Sequence, residues 1–338
     1  MSLQEELVNT INDLVQPGKG LLAADESHPT IAKRFSAVGV ESSEEKRRAY
    51  RSIILSTPGL GEYISGVILF EETLGQTALD GTPIPELLES AGMVPGIKVD
   101  KGKGPLANAP GDEITWGLDG LEDRLVRYKE QGARFAKWRD VFHISPTLPS
   151  RLAVVANAEV LARYAAICQN QGIVPIVEPE VLIDGDHTME RCAEVAEDVL
   201  RDVFTALYRH KVDLQCMVLK PSMVTPGKES PKATPEEVAK WTLDIFRRGV
   251  PSSVPGIFFL SGGQTPEEAT ENLNAINSMG TQPWELSFSY GRALQEPAQK
   301  AWAGHLDNAG AAQAALLKRA RLNGLARSGD YSPDMENE

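Results

Sequence analysis

Lys220 closes an apolar run, CMVLK, where a strand-like segment gives way to the loop PSMVTPGK. A surface lysine needs no aliphatic residues behind it, and a buried one costs several kcal/mol unless it is paired or neutral. With an unperturbed pKa near ~10.4, the amine is neutral in about one molecule in a thousand or fewer at pH 7. Burial and a neighbouring cation both lower that pKa, and Lys137 is available as such a neighbour. A neutral amine condenses with a ketone to an iminium, which then accepts the electrons of a breaking C–C bond. A carboxylic acid must shuttle protons through the carbinolamine, and Glu178 and Glu180 are candidates. Two adjacent carboxylates push one pKa upward, which suits acid–base work near neutrality. Asp25 with Lys137 completes the charge balance. Read alone, Lys220 is an ion-paired lysine; among these neighbours it reads as a nucleophile.

Two further stretches specify part of a ligand. FLSGGQTPEE places Ser261, Gly262 and Gly263 ahead of a capped helix, and FSYGRALQ supplies Ser289, Gly291 and Arg292. At the last two strands of an α/β barrel such loops build phosphate sites, where backbone N–H groups and a helix N-terminus meet the anion. Glycine lets the backbone approach, and Arg292 adds a forked, charge-assisted contact. The plain alternative is that Ser-Gly-Gly only turns the chain; with Arg292 beside it the phosphate reading is favoured.

Metal catalysis is the competing electron sink. The five histidines form no HxH or HExxH pair, so a zinc site lacks support. EPEVLIDGDH has carboxylates enough for Mg²⁺, but Asp184 to His187 reads better as a loop and helix entry. No metal and no cofactor is expected. Cys168, Cys192 and Cys216 form no CxxC pair and read as reduced packing residues.

These residues need a frame. Eight β-rich runs recur, each followed by a helical pattern: 21–25, 67–72, 96–100, 135–140, 173–180, 216–221, 256–263 and 284–292. Segments between them, such as ESSEEKRRAYRSIIL, are apolar at i, i+3 and i+4. Capping-box signals run from Ser42 to Glu45, Thr234 to Glu237 and Thr265 to Glu268, with Pro235 and Pro266 at the first helical position. The alternation predicts an α/β fold, a single (β/α)8 TIM barrel over residues 1–338. A doubly wound open sheet is the alternative, weakened by the lack of an early GxGxxG. An extra helix from about residue 308 and a mobile polar tail, RSGDYSPDMENE, complete the reading.

In such a barrel the carboxyl ends of the strands face the active-site mouth. Here they carry Asp25, Lys98, Lys137 with Arg139, Glu178 with Glu180, Lys220, Ser261, and Ser289 to Arg292. Lys137 and Arg139 are two apart and share a face, as do Glu178 and Glu180. Any one such charge can be a solvated rim residue. A structural interior would be Val, Ile and Leu, so the set as a whole reads as a catalytic centre.

The totals set outer bounds. The chain has 338 residues, is 42% hydrophobic and 24% charged, and carries a net charge of −13. That charge argues against nucleic-acid or membrane partners, so cationic contacts to an anionic substrate must be gathered locally. The N-terminus, MSLQEELVNTINDL, is acidic and amphipathic, unlike a secretory signal or an Arg-rich transit peptide. The expected location is cytoplasmic, or a plastid if a transit peptide precedes this sequence.

Together the blocks GKGLLAADES, GVILFEETL, GIKVDKG, FAKWR, IVPIVEPE, LIDGDH, LKPSMVTPG, FLSGGQ and FSYGRALQ resemble class I, Schiff-base fructose-bisphosphate aldolase over essentially the whole chain. The resemblance implies reversible, metal-free cleavage of fructose 1,6-bisphosphate to dihydroxyacetone phosphate and glyceraldehyde 3-phosphate. It implies Lys220 as the Schiff-base lysine, Glu178 as general acid/base, and Asp25 as the carboxylate of C–C cleavage with Lys137 and Glu180 as electrostatic partners. Ser261, Gly262, Gly263, Ser289, Gly291 and Arg292 match the C1-phosphate site. Ser27, Arg34, Arg47, Lys98 and Arg139 fall where the family holds the far phosphate or the chain between. A homo-oligomer, a tetramer, is implied as well. The alternatives are another lysine-dependent sugar-phosphate aldolase or transaldolase, or a barrel kept for binding or scaffolding. Two departures stand out. His28-Pro29-Thr30 replaces the Thr-Gly-Ser turn of the vertebrate enzymes, and the sequence ends at Glu338 with Tyr331 its nearest tyrosine, so the family's terminal-tyrosine role is not carried over.

Overall fold

The β-rich runs fold as strands, largely apolar because both faces are covered. In the computed structural model, which describes residues 2–338, the strands are β1 (Gly20–Ala24), β2 (Ile64–Leu69), β3 (Val94–Lys98), β4 (Lys103–Pro105), β5 (Glu113–Thr115), β6 (Phe135–Phe142), β7 (Val174–Val181), β8 (Val218–Leu219), β9 (Gly256–Phe259) and β10 (Glu285–Tyr290). The exceptions to the apolar runs are the charges on β3, β6, β7 and β10. β1, β2 and β9 are buried along their whole length. Eight strands close a parallel barrel in the order β1-β10-β9-β8-β7-β6-β3-β2. β1 pairs with both β2 and β10, so the open-sheet alternative is excluded. β4 and β5 form a separate antiparallel ribbon that sequence periodicity does not reveal.

The barrel interior is graded. Toward the amino ends of the strands Leu21, Ile68, Val94, Phe135, Val174, Ile176, Val218 and Phe258 fill it. The helix Leu3–Leu14 lays Leu7, Ile11 and Leu14 against that cluster and plugs this end. Packing is tight enough that a Cβ on Gly96 would lie 2.2 Å from the Phe135 ring. Apolar filling stops at the level of Lys137, Glu178 and Lys220, so only the carboxyl end of the barrel is open and polar.

The helices begin where their caps dictate. Thr234 and Thr265 form complete capping boxes with Glu237 and Glu268, each worth about 1 kcal/mol. The third box differs. Ser43, not Ser42, caps the helix Glu44–Leu55 by accepting from the Lys46 amide, and the Ser42 hydroxyl accepts from Arg47 instead.

The end of the chain also departs from expectation. The helix Ala309–Ser328 ends at Gly329 in the left-handed conformation, and the following segment folds back as a short 3-10 helix, Pro333–Asn337. Tyr331 is buried, and both Glu336 oxygens accept from the buried Arg319 at 2.5 and 2.6 Å. The tail is docked, not mobile, because Glu336 supplies the anion that Arg319 needs once it is shut away from water.

Candidate active site

At the open end lies a cavity of about 760 Å³. Of its lining residues, nine are Lys or Arg and six are Asp or Glu, against the chain's overall charge of −13. Cations are gathered locally, as an anionic substrate requires.

Four strand ends supply a line of alternating charge. Lys220 Nζ lies 3.1 Å from Glu178 Oε1, and Glu178 Oε2 lies 3.1 Å from Lys137 Nζ. Lys137 Nζ in turn lies 2.7 Å from Asp25 Oδ2. The local reasons are simple. Lys137 sits on β6 and Glu178 on β7, whose register pairs Lys137 with Ile176 and Arg139 with Glu178. Although β8 is only two residues long, the Lys220 amide still donates to the Val177 carbonyl at 2.8 Å, fixing the base of the lysine beside Glu178.

Burial of Glu178 alone would raise its pKa; Lys137, Lys220 and Arg139 outweigh it and hold the carboxyl below its usual range. The expected Glu178–Glu180 sharing is not met, because Glu180 is taken up by an ion pair with Arg139. Burial likewise works against the charge on Asp25, yet Lys137 and Lys220 hold it well below the ordinary carboxylate value. Lys137 is desolvated but moved upward by Asp25 and Glu178, so it stays an ammonium.

Across the cavity, Gly262 and Gly263 have φ of +45° and +86°, a region that a side chain tolerates poorly. A Cβ on Gly263 would also come within 2.7 Å of Ile183. Ser289 is buried in the cavity wall, and its hydroxyl has no hydrogen-bond partner among the described residues. Gly291 caps the helix Arg292–Trp302, so that helix begins at the cavity. Arg292 donates to the Gln264 carbonyl at 2.9 Å, which leaves part of its guanidinium available. An unpartnered hydroxyl, two left-handed glycines and a helix start at one end of the cavity make a cradle for an anion.

Other expected residues divide. Ser27, Arg34, Lys98 and Arg139 line the cavity, with Lys98 paired to Asp100. Arg34 is at the Gly291 end: a Cβ on Gly291 would lie 3.7 Å from its Nη2. Arg47 is not among the lining residues; it makes a forked pair with Glu72, at 2.9 and 2.5 Å, and His28 reaches the same carboxylate at 3.0 Å. Sequence reasoning missed Glu26, Lys33, Asp100, Lys103 and Lys300, which also line the cavity. Lys33 and Lys300 lie on helices and Lys103 on the ribbon, away from the strand ends where charge is most legible.

Among the described residues no group of three or more His, Cys, Asp or Glu side chains is arranged to hold a metal ion. The loop carrying Asp184 to His187 is instead zipped to the loop after Lys220, by amide-to-carbonyl bonds from Gly227 to His187 and from Lys228 to Ile183.

The family model described as fructose-bisphosphate aldolase class-I, glycolytic, matches residues 6–338. The chain belongs to that family. It is 53% identical over 328 residues to the cytoplasmic fructose-bisphosphate aldolase isozyme of Spinacia oleracea, covering 97% of this chain and 92% of the relative. It is 53% identical over 337 residues to fructose-bisphosphate aldolase C of Homo sapiens, covering 99% and 93%. Among solved structures, the Plasmodium falciparum aldolase in ternary complex with TRAP and a small-molecule inhibitor superposes with a TM-score of 0.96 at 49% identity, covering 98% of this chain and 96% of that one. Chloroplastic relatives occur too, such as fructose-bisphosphate aldolase 3 of Arabidopsis thaliana. As a class I aldolase the chain is a metal-independent carbon–carbon lyase acting on fructose 1,6-bisphosphate.

Proposed function

We propose that this aldolase works through a Schiff base on Lys220, with Glu178, Lys137 and Asp25 moving charge around it. The observation that carries this reading is the unbroken line Lys220–Glu178–Lys137–Asp25, at 3.1, 3.1 and 2.7 Å, on the floor of a cation-rich cavity. Lys220 must become neutral to attack the C2 ketone, and Glu178 is the acceptor within reach of its proton. Protonated Glu178 then gives the proton to the departing carbinolamine oxygen, which leaves as water. Lys137, held as a cation, keeps Glu178 ionised between these steps. The iminium takes the electron pair of the C3–C4 bond while Asp25 accepts the proton of the C4 hydroxyl. Glyceraldehyde 3-phosphate leaves, C3 of the enamine is protonated, and hydrolysis frees dihydroxyacetone phosphate and Lys220.

The cradle of Ser261, Gly262, Gly263, Ser289, Gly291 and Arg292 holds the C1 phosphate in this reading. Lys98, Arg139 and Ser27 hold the rest of the chain and the far phosphate. Arg34 belongs with the first group by its place beside Gly291, and Arg47 acts only through Glu72. The chain works as a homotetramer in the cytoplasm: exposed Leu152, Val155 and Tyr208 supply apolar surface for subunit contacts, and the spinach relative is a cytoplasmic isozyme.

The test is reductive trapping. Borohydride with dihydroxyacetone phosphate should fix a stable adduct on the peptide containing LKPSMVTPGK, and Lys220→Met should abolish both adduct and turnover in a folded barrel. Labelling at Lys137 or Lys98 would mean that another amine reacts; turnover with no labelling anywhere would reject the Schiff base.

A further inference from the structure

Glu26 follows Asp25 at the end of β1 and points the other way. Asp25 faces Lys137, whereas the Glu26 carboxylate, nearly sealed from water, lies among Arg34, Arg51 and Gln295. Its Oε1 accepts from Arg34 Nη1 and, at 2.7 Å, from Gln295 Nε2. Its Oε2 lies 3.6 Å from Arg51 Nη2, and the same Nη2 donates to the Glu26 carbonyl at 2.8 Å. Gln295 Nε2 also donates to the Ala23 carbonyl at 2.7 Å, and Tyr50 donates to Gln295 Oε1 at 3.2 Å. Gln295 is in the first turn of the helix that Arg292 opens.

We infer that Glu26 is the positioning residue of the anion cradle: it aims Arg34 at Gly291 and ties that aim to the helix of Arg292 through Gln295. This rests on the phosphate reading above. An arginine side chain gives up much rotamer entropy when it is ordered, and a ligand that must order it binds correspondingly more weakly. Arg34, on the helix His28–Ser36, lines the cavity with its side chain 23% exposed, and its ion pair is with Glu26. Glu26 grips only Nη1, leaving Nη2 beside Gly291, where an incoming phosphate meets the helix start. Arg51, fully buried and anchored by Thr73 at 2.7 Å, in turn holds the Glu26 backbone, so the carboxylate is a fixed reference for a partly exposed arginine.

The experiment is a double-mutant cycle on the tetrameric or native assembly as purified, reading the dissociation constant of dihydroxyacetone phosphate by calorimetry. Glu26→Gln keeps the shape and one acceptor oxygen while removing the charge; it should weaken binding about 5- to 20-fold. Arg34→Ala should weaken it at least as much, and Glu26→Gln added to Arg34→Ala should change it less than twofold, because Glu26 acts only through Arg34. Equal fold-changes from Glu26→Gln in both backgrounds would overturn the inference, since a general structural role gives that result. Weakening by Arg34→Ala but not by Glu26→Gln overturns it while leaving the phosphate site intact; no effect of Arg34→Ala overturns the placement of Arg34 as well. Should Glu26→Gln fail to fold, Gln295→Met decides: it releases one side of the carboxylate, and an unchanged dissociation constant rejects the proposal.

Discussion

The Lys137 ammonium lies 2.7 Å from the Asp25 carboxylate, and only 4% and 12% of the two side chains are exposed. Neither charge is tolerable there without the other, because removing one partner of a buried pair costs about 3–5 kcal/mol. Lys137→Met should therefore lower stability at pH 7 by that order and reduce kcat severely. Asp25 has a depressed pKa, so its contribution is present above the unfolded carboxyl pKa of about 3.9 and is lost as pH falls below it. The parent enzyme should lose stability steeply in that acid range and Lys137→Met much less so. Urea unfolding at pH 7 and at pH 3 measures both; equal slopes would show that the pair is energetically idle.

Glu178→Gln should leave the fold intact and slow imine formation by about 10²–10⁴-fold, since the nucleophile remains but its proton acceptor does not. Rapid-quench borohydride trapping gives the rate directly. A trapping rate equal to the parent's would assign the shuttle to another group.

Arg292 is nearly half exposed, so Arg292→Ala should barely alter the melting temperature. Its loss removes charge-assisted hydrogen bonds worth about 1.5–3 kcal/mol, which is roughly a 10- to 100-fold rise in KM for fructose 1,6-bisphosphate. An unchanged KM would displace the phosphate from this end of the cavity.

Asp140 is a different kind of buried acid. Burial is the main cause that pushes its pKa up to about 8, even though its Oδ1 accepts from Trp138 Nε1 at 3.0 Å. The folded state keeps this proton where the unfolded chain has released it, so stability falls as pH rises from about 4 to about 8. Asp140→Asn should flatten that decline and stabilise the protein at pH 8 by on the order of a few kcal/mol, because the amide keeps the Trp138 bond without the charge. Parallel stability profiles for the two proteins would refute this.

Much of the architecture is written in local pattern. The eight apolar runs all became barrel strands, and the boxes at Thr234 and Thr265 start their helices where a Ser/Thr and a Glu three residues on require. The order of charges at strand ends was readable too, because a barrel sends every strand end to one mouth. What was hidden depends on pairing across the fold. Nothing in the sequence says that Arg139 claims Glu180, so the two glutamates looked like a coupled pair. Glu26 is masked by Asp25 beside it, since alternation along a strand tells that neighbours diverge but not what the second one meets. The tail looked mobile from its polar composition, whereas Glu336 finds its cation, Arg319, one helix back. Ser42 and Ser43 compete for one cap, and a single-residue choice of that kind is settled by packing of the helix they open.

The seam that closes the barrel joins β1 to β10, with Leu21 opposite Ser289 and Leu22 opposite Tyr290. Residues near the start of this sequence thus border residues about 270 positions later. Asp25 emerges early and must wait, charged and unpartnered, until Lys137 has been synthesised, whereas Glu26 meets Arg34 and Arg51 soon after it but Gln295 only near the end. Such long-range closure slows folding, because the entropy of joining distant segments is met before their contacts form. No shortened product lacking the final strand can assemble this site. Premature termination anywhere before about Ser289 leaves β1 with an open edge and the cavity without Ser289, Gly291 and Arg292.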